Sequence, residues 1–122
     1  INNLGIRYAY DDDWVAEKIT DEILNKYPNL KGIYITGSGV IGVCKSLQKA
    51  NKIKDIKIIA NDFINDNIQL LSNGTINFLI GQDAYTQGYQ SIMLLFYKLF
   101  DNKNPDSKFA YTDIVIKNRF NI

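Results

Sequence analysis

Short apolar runs alternate with longer amphipathic stretches along this chain, the pattern of parallel strands joined by crossover helices. Gly5 to Tyr10 reads as a first strand. Asp11, Asp12 and Asp13 follow, supplying a cap and acidic charge where a helix begins. Trp14, Val15, Ile19, Ile23, Leu24 and Tyr27 give that helix its apolar stripe, and Pro28 lies just past its end. Gly32 to Thr36 is a second strand running into a glycine loop. The next helix carries Val40, Val43, Cys44 and Leu47 at the i, i+3, i+4, i+7 spacing that faces a core. Ile56 to Ala60 is a third strand, ending at Asn61 and Asp62. A short helix follows, with Ile68 and Leu71 inward and Gly74 as the residue that terminates it. Thr75 to Ile80 is a fourth strand. Gly81, Gln82 and Asp83 lead into the longest helix, whose stripe of Tyr85, Tyr89, Ile92, Met93, Phe96 and Leu99 is expected to face the core. After a turn-rich loop from Asn102 to Asp106, Tyr111 to Lys117 reads as the last strand. The sum is βαβαβαβαβ. Right-handed crossovers make it an α/β fold: a doubly wound, mostly parallel open sheet with helices on both faces.

Composition narrows the function. With 122 residues, 46% hydrophobic and 22% charged, the chain has the size and make-up of one globular domain. A net charge of +1 is too small to bind nucleic acid by charge alone. The chain has no histidine, which removes Ser-His-Asp catalysis and imidazole acid–base chemistry within it. Neither a metal site nor a cofactor is expected, and the chain does not read as an enzyme. Cys44 has no partner for an internal disulfide and falls in an apolar stripe, so it reads as buried packing in a reducing compartment. No apolar run approaches the ~18 residues of a membrane span. Ile, Asn and Lys, all with AT-rich codons, are heavily used, so the asparagines as a group need no functional cause. The chain opens on Ile1 instead of Met, and is read as a piece of something longer.

In open α/β sheets ligands bind beyond the carboxyl ends of the strands. The residues expected there are Tyr10 with Asp11 to Asp13, then Thr36 to Gly39, Asn61 and Asp62, and Gln82 with Asp83. The set is rich in hydroxyl, amide and carboxylate groups and holds no Lys or Arg. It suits a neutral, hydroxylated ligand better than a phosphate. Asp83 and Asp11 to Asp13 read first as helix caps. Asp62 is harder to dismiss: it ends an apolar strand in mid-sheet, and Asn65 or Asp66 is already on hand to cap the next helix. Gln82 is a candidate on the same physics.

Gly37 to Gly42 spells G-x-G-x-x-G between a strand and a helix, with Asp62 twenty residues further on, as in dinucleotide sites. Glycines there would let the backbone approach a pyrophosphate at the helix N-terminus. Against NAD, a full strand and helix precede the motif, whereas the fingerprint belongs to the first strand of its domain.

Ile58 to Asp62, Leu70 to Gly74, Ile80 to Asp83 and Gln87 to Tyr89 resemble, in order and spacing, the carboxy-terminal half of the lactose-repressor (LacI) family. The same half occurs in the related type I periplasmic sugar-binding proteins. Gly42 to Leu47 and the tail from Ile114 to Ile122 are also similar to that family. The resemblance implies one lobe, residues 1–122, of a bilobed receptor that holds a sugar in an inter-lobe cleft. The partner lobe and any DNA-binding domain would lie outside it. The family's strand-end aspartate would be Asp62 and its glutamine Gln82. Its usual Asn-Asp pair falls on Thr36 and Gly37, so Thr36 or Ser38 would have to supply a hydroxyl instead, with Asn61 alongside. The function implied is effector sensing by a cytoplasmic, homodimeric LacI-type regulator that binds DNA through its absent amino-terminal domain. No exposed apolar patch marks that dimer interface in the sequence. The alternative is a periplasmic or extracellular solute receptor for sugar uptake or sensing, and an NAD-binding enzyme domain comes third.

Overall fold

The computed structural model describes residues 2–122. The chain order is α1 (Asp13–Lys26), β1 (Gly32–Ile35), α2 (Val40–Lys49), β2 (Lys57–Asn61), α3 (Asn65–Ser72), β3 (Phe78–Gln82), α4 (Ala84–Phe100) and β4 (Ile114–Lys117). The strands lie side by side in the order β1-β2-β3-β4. Strand β2 pairs in parallel with β1, Ile35 opposite Ala60, and with β3, Ala60 opposite Leu79. This is the expected α/β class, an open sheet with helices between its strands.

The chain divides into two compact units, Ile1–Ile80 with Ile116–Ile122, and Gly81–Val115. In the first, alternation along the strands sends Ile35, Ile58, Ala60 and Leu79 to one sheet face, where they are buried with Val40, Val43, Cys44 and Leu47 of α2 and Leu71 of α3. The α2 stripe is therefore where its spacing puts it. Gly74 follows the Asn73 C-cap of α3 with φ +80°, the left-handed conformation that ends helices. The opposite sheet face, with Tyr34, Ile59, Phe78 and Ile80, stays partly open.

Helices α1 and α2 approach so closely that a Cβ at Gly42 would sit 1.8 Å from the Asp13 carbonyl oxygen. Lys49 of α2 forms an ion pair with Glu17 of α1. The hydrogen bond from Lys49 raises its own affinity for the proton.

Three expectations need correction. Gly5 to Tyr10 is not a strand: Gly5 (φ +90°) and Tyr10 (φ 52°) leave the extended region, and Ile6, Tyr8 and Tyr10 are exposed. Its alternation is genuine, but among the described residues no neighbouring strand takes its N–H and C=O groups. Trp14 is exposed, outside the core stripe of α1, with the Lys18 ammonium 3.5 Å from its ring centroid. Helix α4, in the second unit, buries none of its residues, so Tyr85, Tyr89, Ile92, Phe96 and Leu99 lie on an exposed apolar face. Periodicity correctly marks a stripe on that helix, but burial also needs a covering element.

Candidate functional site

The carboxyl ends of β1 and β2 are neighbours because the parallel register sets Ile35 against Ala60. Thr36 and Asn61 therefore leave the sheet side by side, and the Asn61 amide nitrogen donates to the Thr36 carbonyl at 3.2 Å. The Tyr34 hydroxyl donates to Asn61 Oδ1 at 3.0 Å. Tyr34 carried no distinguishing signal in the sequence, where it is one aromatic residue in an apolar strand.

Asp62 turns out of β2 with φ 69°, a left-handed conformation that aspartate tolerates better than most residues. The turn is held at both peptide groups. Its N–H donates to the Ile80 carbonyl at 2.9 Å. The buried Asn67 amide donates to the carbonyls of Asn61 and Asp62, at 2.9 and 3.1 Å. Asn67 was missed in the sequence, where its neighbours Asn65 and Asp66 looked like the helix cap. In fact the N-cap of α3 is Ile64, with no side-chain bond. The Asp62 carboxylate is exposed and makes no hydrogen bond or ion pair with any described residue. The Lys117 ammonium lies over the ring of the next residue, Phe63, 5.7 Å from its centroid.

The glycine loop is filled by the chain's own carboxylates. Asp11 Oδ1 accepts from the Ser38 amide at 3.0 Å, and Asp13 Oδ1 accepts from the Gly42 amide at 3.1 Å. These are the N–H groups at the start of α2 that a pyrophosphate would need. The glycines are explained by the same approach. A Cβ at Gly37 would lie 2.8 Å from Asp11 Oδ1, and Gly39 has φ +97° with Ala16 Cβ 2.9 Å from its own would-be Cβ. The motif is a packing device between α1 and α2, and the NAD reading loses its physical basis. Asp12, between the two, caps α1 by accepting from Val15 N at 2.9 Å. Ser38 itself is an exposed residue of this loop.

Gln82 belongs to the second unit, where the Gln87 amide donates to its Oε1 at 3.3 Å and to the Thr112 hydroxyl at 3.0 Å. Asp83 caps α4, as its position implied. The Thr86 hydroxyl and amide donate to it at 2.5 and 3.0 Å, holding its carboxyl below the ordinary range. Cys44 is buried, and burial, with the Asp13 charge second, pushes its thiol pKa up to about 11. It stays a protonated, unreactive thiol at neutral pH. Among the described residues no group of three or more Asp, Glu and Cys side chains could hold a metal ion.

Residues 2–103 match the model of the periplasmic binding protein domain. The chain belongs to that family. Solved structures agree. An arabinose-binding protein, AraP of Geobacillus stearothermophilus, is 25% identical with a TM-score of 0.83 over 97% of this chain and 43% of its own. An ABC transporter solute-binding protein of Agrobacterium vitis with bound D-fucose is 24% identical, TM-score 0.84, over 97% of this chain and 40% of its own. Another from Actinobacillus succinogenes 130z, with bound D-allose, is 22% identical, TM-score 0.83, over 93% and 39%. The periplasmic-binding-protein domain here thus spans about two-fifths of the length of these relatives. None of the curated proteins matches.

Proposed function

We propose that this domain is the carboxy-terminal lobe of a bilobed receptor for a neutral sugar, of the solute-binding kind that works outside the cytoplasmic membrane. The observation that carries the reading is Asp62. An aspartate in a left-handed turn is anchored through its backbone by buried Asn67, while its carboxylate makes no hydrogen bond or ion pair with any described residue. Thr36, Asn61 and Asp62, at the carboxyl ends of neighbouring parallel strands, bring a hydroxyl, an amide and a carboxylate that offer donors and acceptors to sugar hydroxyls, with the Lys117 ammonium over the adjoining Phe63 ring. Ser38 contributes a further hydroxyl on the same edge. Gln82, in the second unit, is proposed by itself as an amide contact steadied by Gln87.

The likeness to solute-binding proteins carrying D-fucose and D-allose supports a sugar partner. It favours the receptor over the LacI-type regulator that the sequence brought forward. The receptor reading calls for a location outside the cytoplasm and for neither DNA binding nor homodimerisation.

The test is calorimetric titration of the intact protein containing this chain with arabinose, D-fucose and D-allose, repeated with Asp62→Asn. Binding of at least one sugar, weakened tenfold or more in the variant at an unchanged melting temperature, is expected. No binding of any of the three, or normal binding by the variant, would refute the reading. The 122 residues alone should bind these sugars weakly or not at all, since a closed site needs both lobes.

A further inference from the structure

We infer that Tyr34 is a positioning residue, one that sets how the Asn61 amide is presented to the hydroxyls of the ligand; this rests on the sugar-binding reading above. Tyr34 lies opposite Ile59 in the register, so its side chain shares a sheet face with Ile59 and Asn61. From there it reaches along the face to Asn61 Oδ1, 3.0 Å away. At the other end of the same amide, Nδ2 donates to the Thr36 carbonyl at 3.2 Å. A carbonyl can only accept, so that bond decides which end of the amide is nitrogen. The tyrosine hydroxyl, donating to the oxygen end, agrees with it. One side chain of β2 is thus clasped by Tyr34 of β1 and by Thr36 just past its end, in one orientation.

The clasp leaves Asn61 one N–H and one lone pair unused. The N–H can donate to one ligand hydroxyl and the lone pair can accept from another. A freely rotating Asn61 would offer donor and acceptor interchangeably and would lose conformational entropy on binding. Tyr34, together with the Thr36 carbonyl, removes both defects before the ligand arrives. Its ring is more than half exposed (55%), so the core does not need it there.

The test is a double-mutant cycle on the intact protein with Tyr34→Phe, Asn61→Ala and both together, read by calorimetry with arabinose, D-fucose and D-allose. Phenylalanine deletes the hydroxyl and keeps the ring. Tyr34→Phe should weaken binding roughly threefold to tenfold, the range of one hydrogen bond. In the Asn61→Ala background the same change should have no effect. A merely structural tyrosine would weaken binding in both backgrounds, and that additivity would overturn the inference, as would a Tyr34→Phe protein that binds like wild type. If wild type binds none of the three sugars, the sugar reading falls and the inference falls with it.

Discussion

The two units solve the problem of apolar surface differently. In the first, α2 and the strands close a core in which Leu47, Ile58, Leu71 and Leu79 have no exposure at all. In the second, the 17-residue helix α4 is on average more apolar along its length than α2 yet buries none of its residues. Each has one helical glycine, and the pair shows the contrast at atomic scale. Gly42 is required by the backbone 1.8 Å from its would-be Cβ, whereas a Cβ at Gly88 would meet nothing within 4 Å. The same helical pattern is thus core in one place and open surface in another, and what differs is whether another element lies against it.

The largest effect should come from the core. Leu47→Ala removes a fully buried side chain and is expected to cost about 3–4 kcal/mol in urea unfolding. Leu99→Ala, in α4 and 68% exposed, should cost less than ~0.5 kcal/mol. A large cost at Leu99 would break the contrast by showing that its face is covered in solution. The glycines should differ in sign. Gly42→Ala forces α1 and α2 apart and should destabilise by about 3 kcal/mol, while Gly88→Ala should stabilise by about 0.5–1 kcal/mol. Equal thermal shifts for the two would remove the distinction.

A smaller effect tests the depth of the first unit's core through pH. The folded thiol of Cys44 titrates near 11, above its ordinary value of 9.0, so the folded state holds the proton more tightly. Its contribution is fully present below pH 9 and is lost as pH rises through 11. Wild type should lose about 2 kcal/mol more than Cys44→Ala between those limits, as measured by denaturant midpoints at each pH. Parallel pH curves would place the thiol in contact with water. Asp12→Ala, which removes the α1 cap, should cost about 1 kcal/mol.

These contrasts also explain what the sequence could and could not reveal. Spacing located α2, its four inward residues and the glycine that ends α3, because those depend on the local backbone and one neighbouring surface. It placed Asp62 and Thr36 at strand ends for the same reason. It could not tell that among the described residues Gly5 to Tyr10 has no strand to pair with, or that α4 buries none of its residues, since both depend on tertiary packing. The G-x-G-x-x-G spacing could not say whether the freed N–H groups meet a phosphate or, as here, Asp11 and Asp13. Tyr34 and Asn67 escaped notice because their partners, Asn61 and the carbonyls around it, come near only when β1, β2 and α3 are assembled.

The most direct test of where the ligand sits is amide hydrogen exchange of the intact protein, with and without whichever of arabinose, D-fucose and D-allose binds best. Slower exchange in peptides covering Thr36–Ser38 and Asn61–Phe63, with Ile92–Leu99 unchanged, is the predicted result. Sugar binding that leaves both strand-end peptides unprotected would contradict a ligand site at the carboxyl ends of β1 and β2.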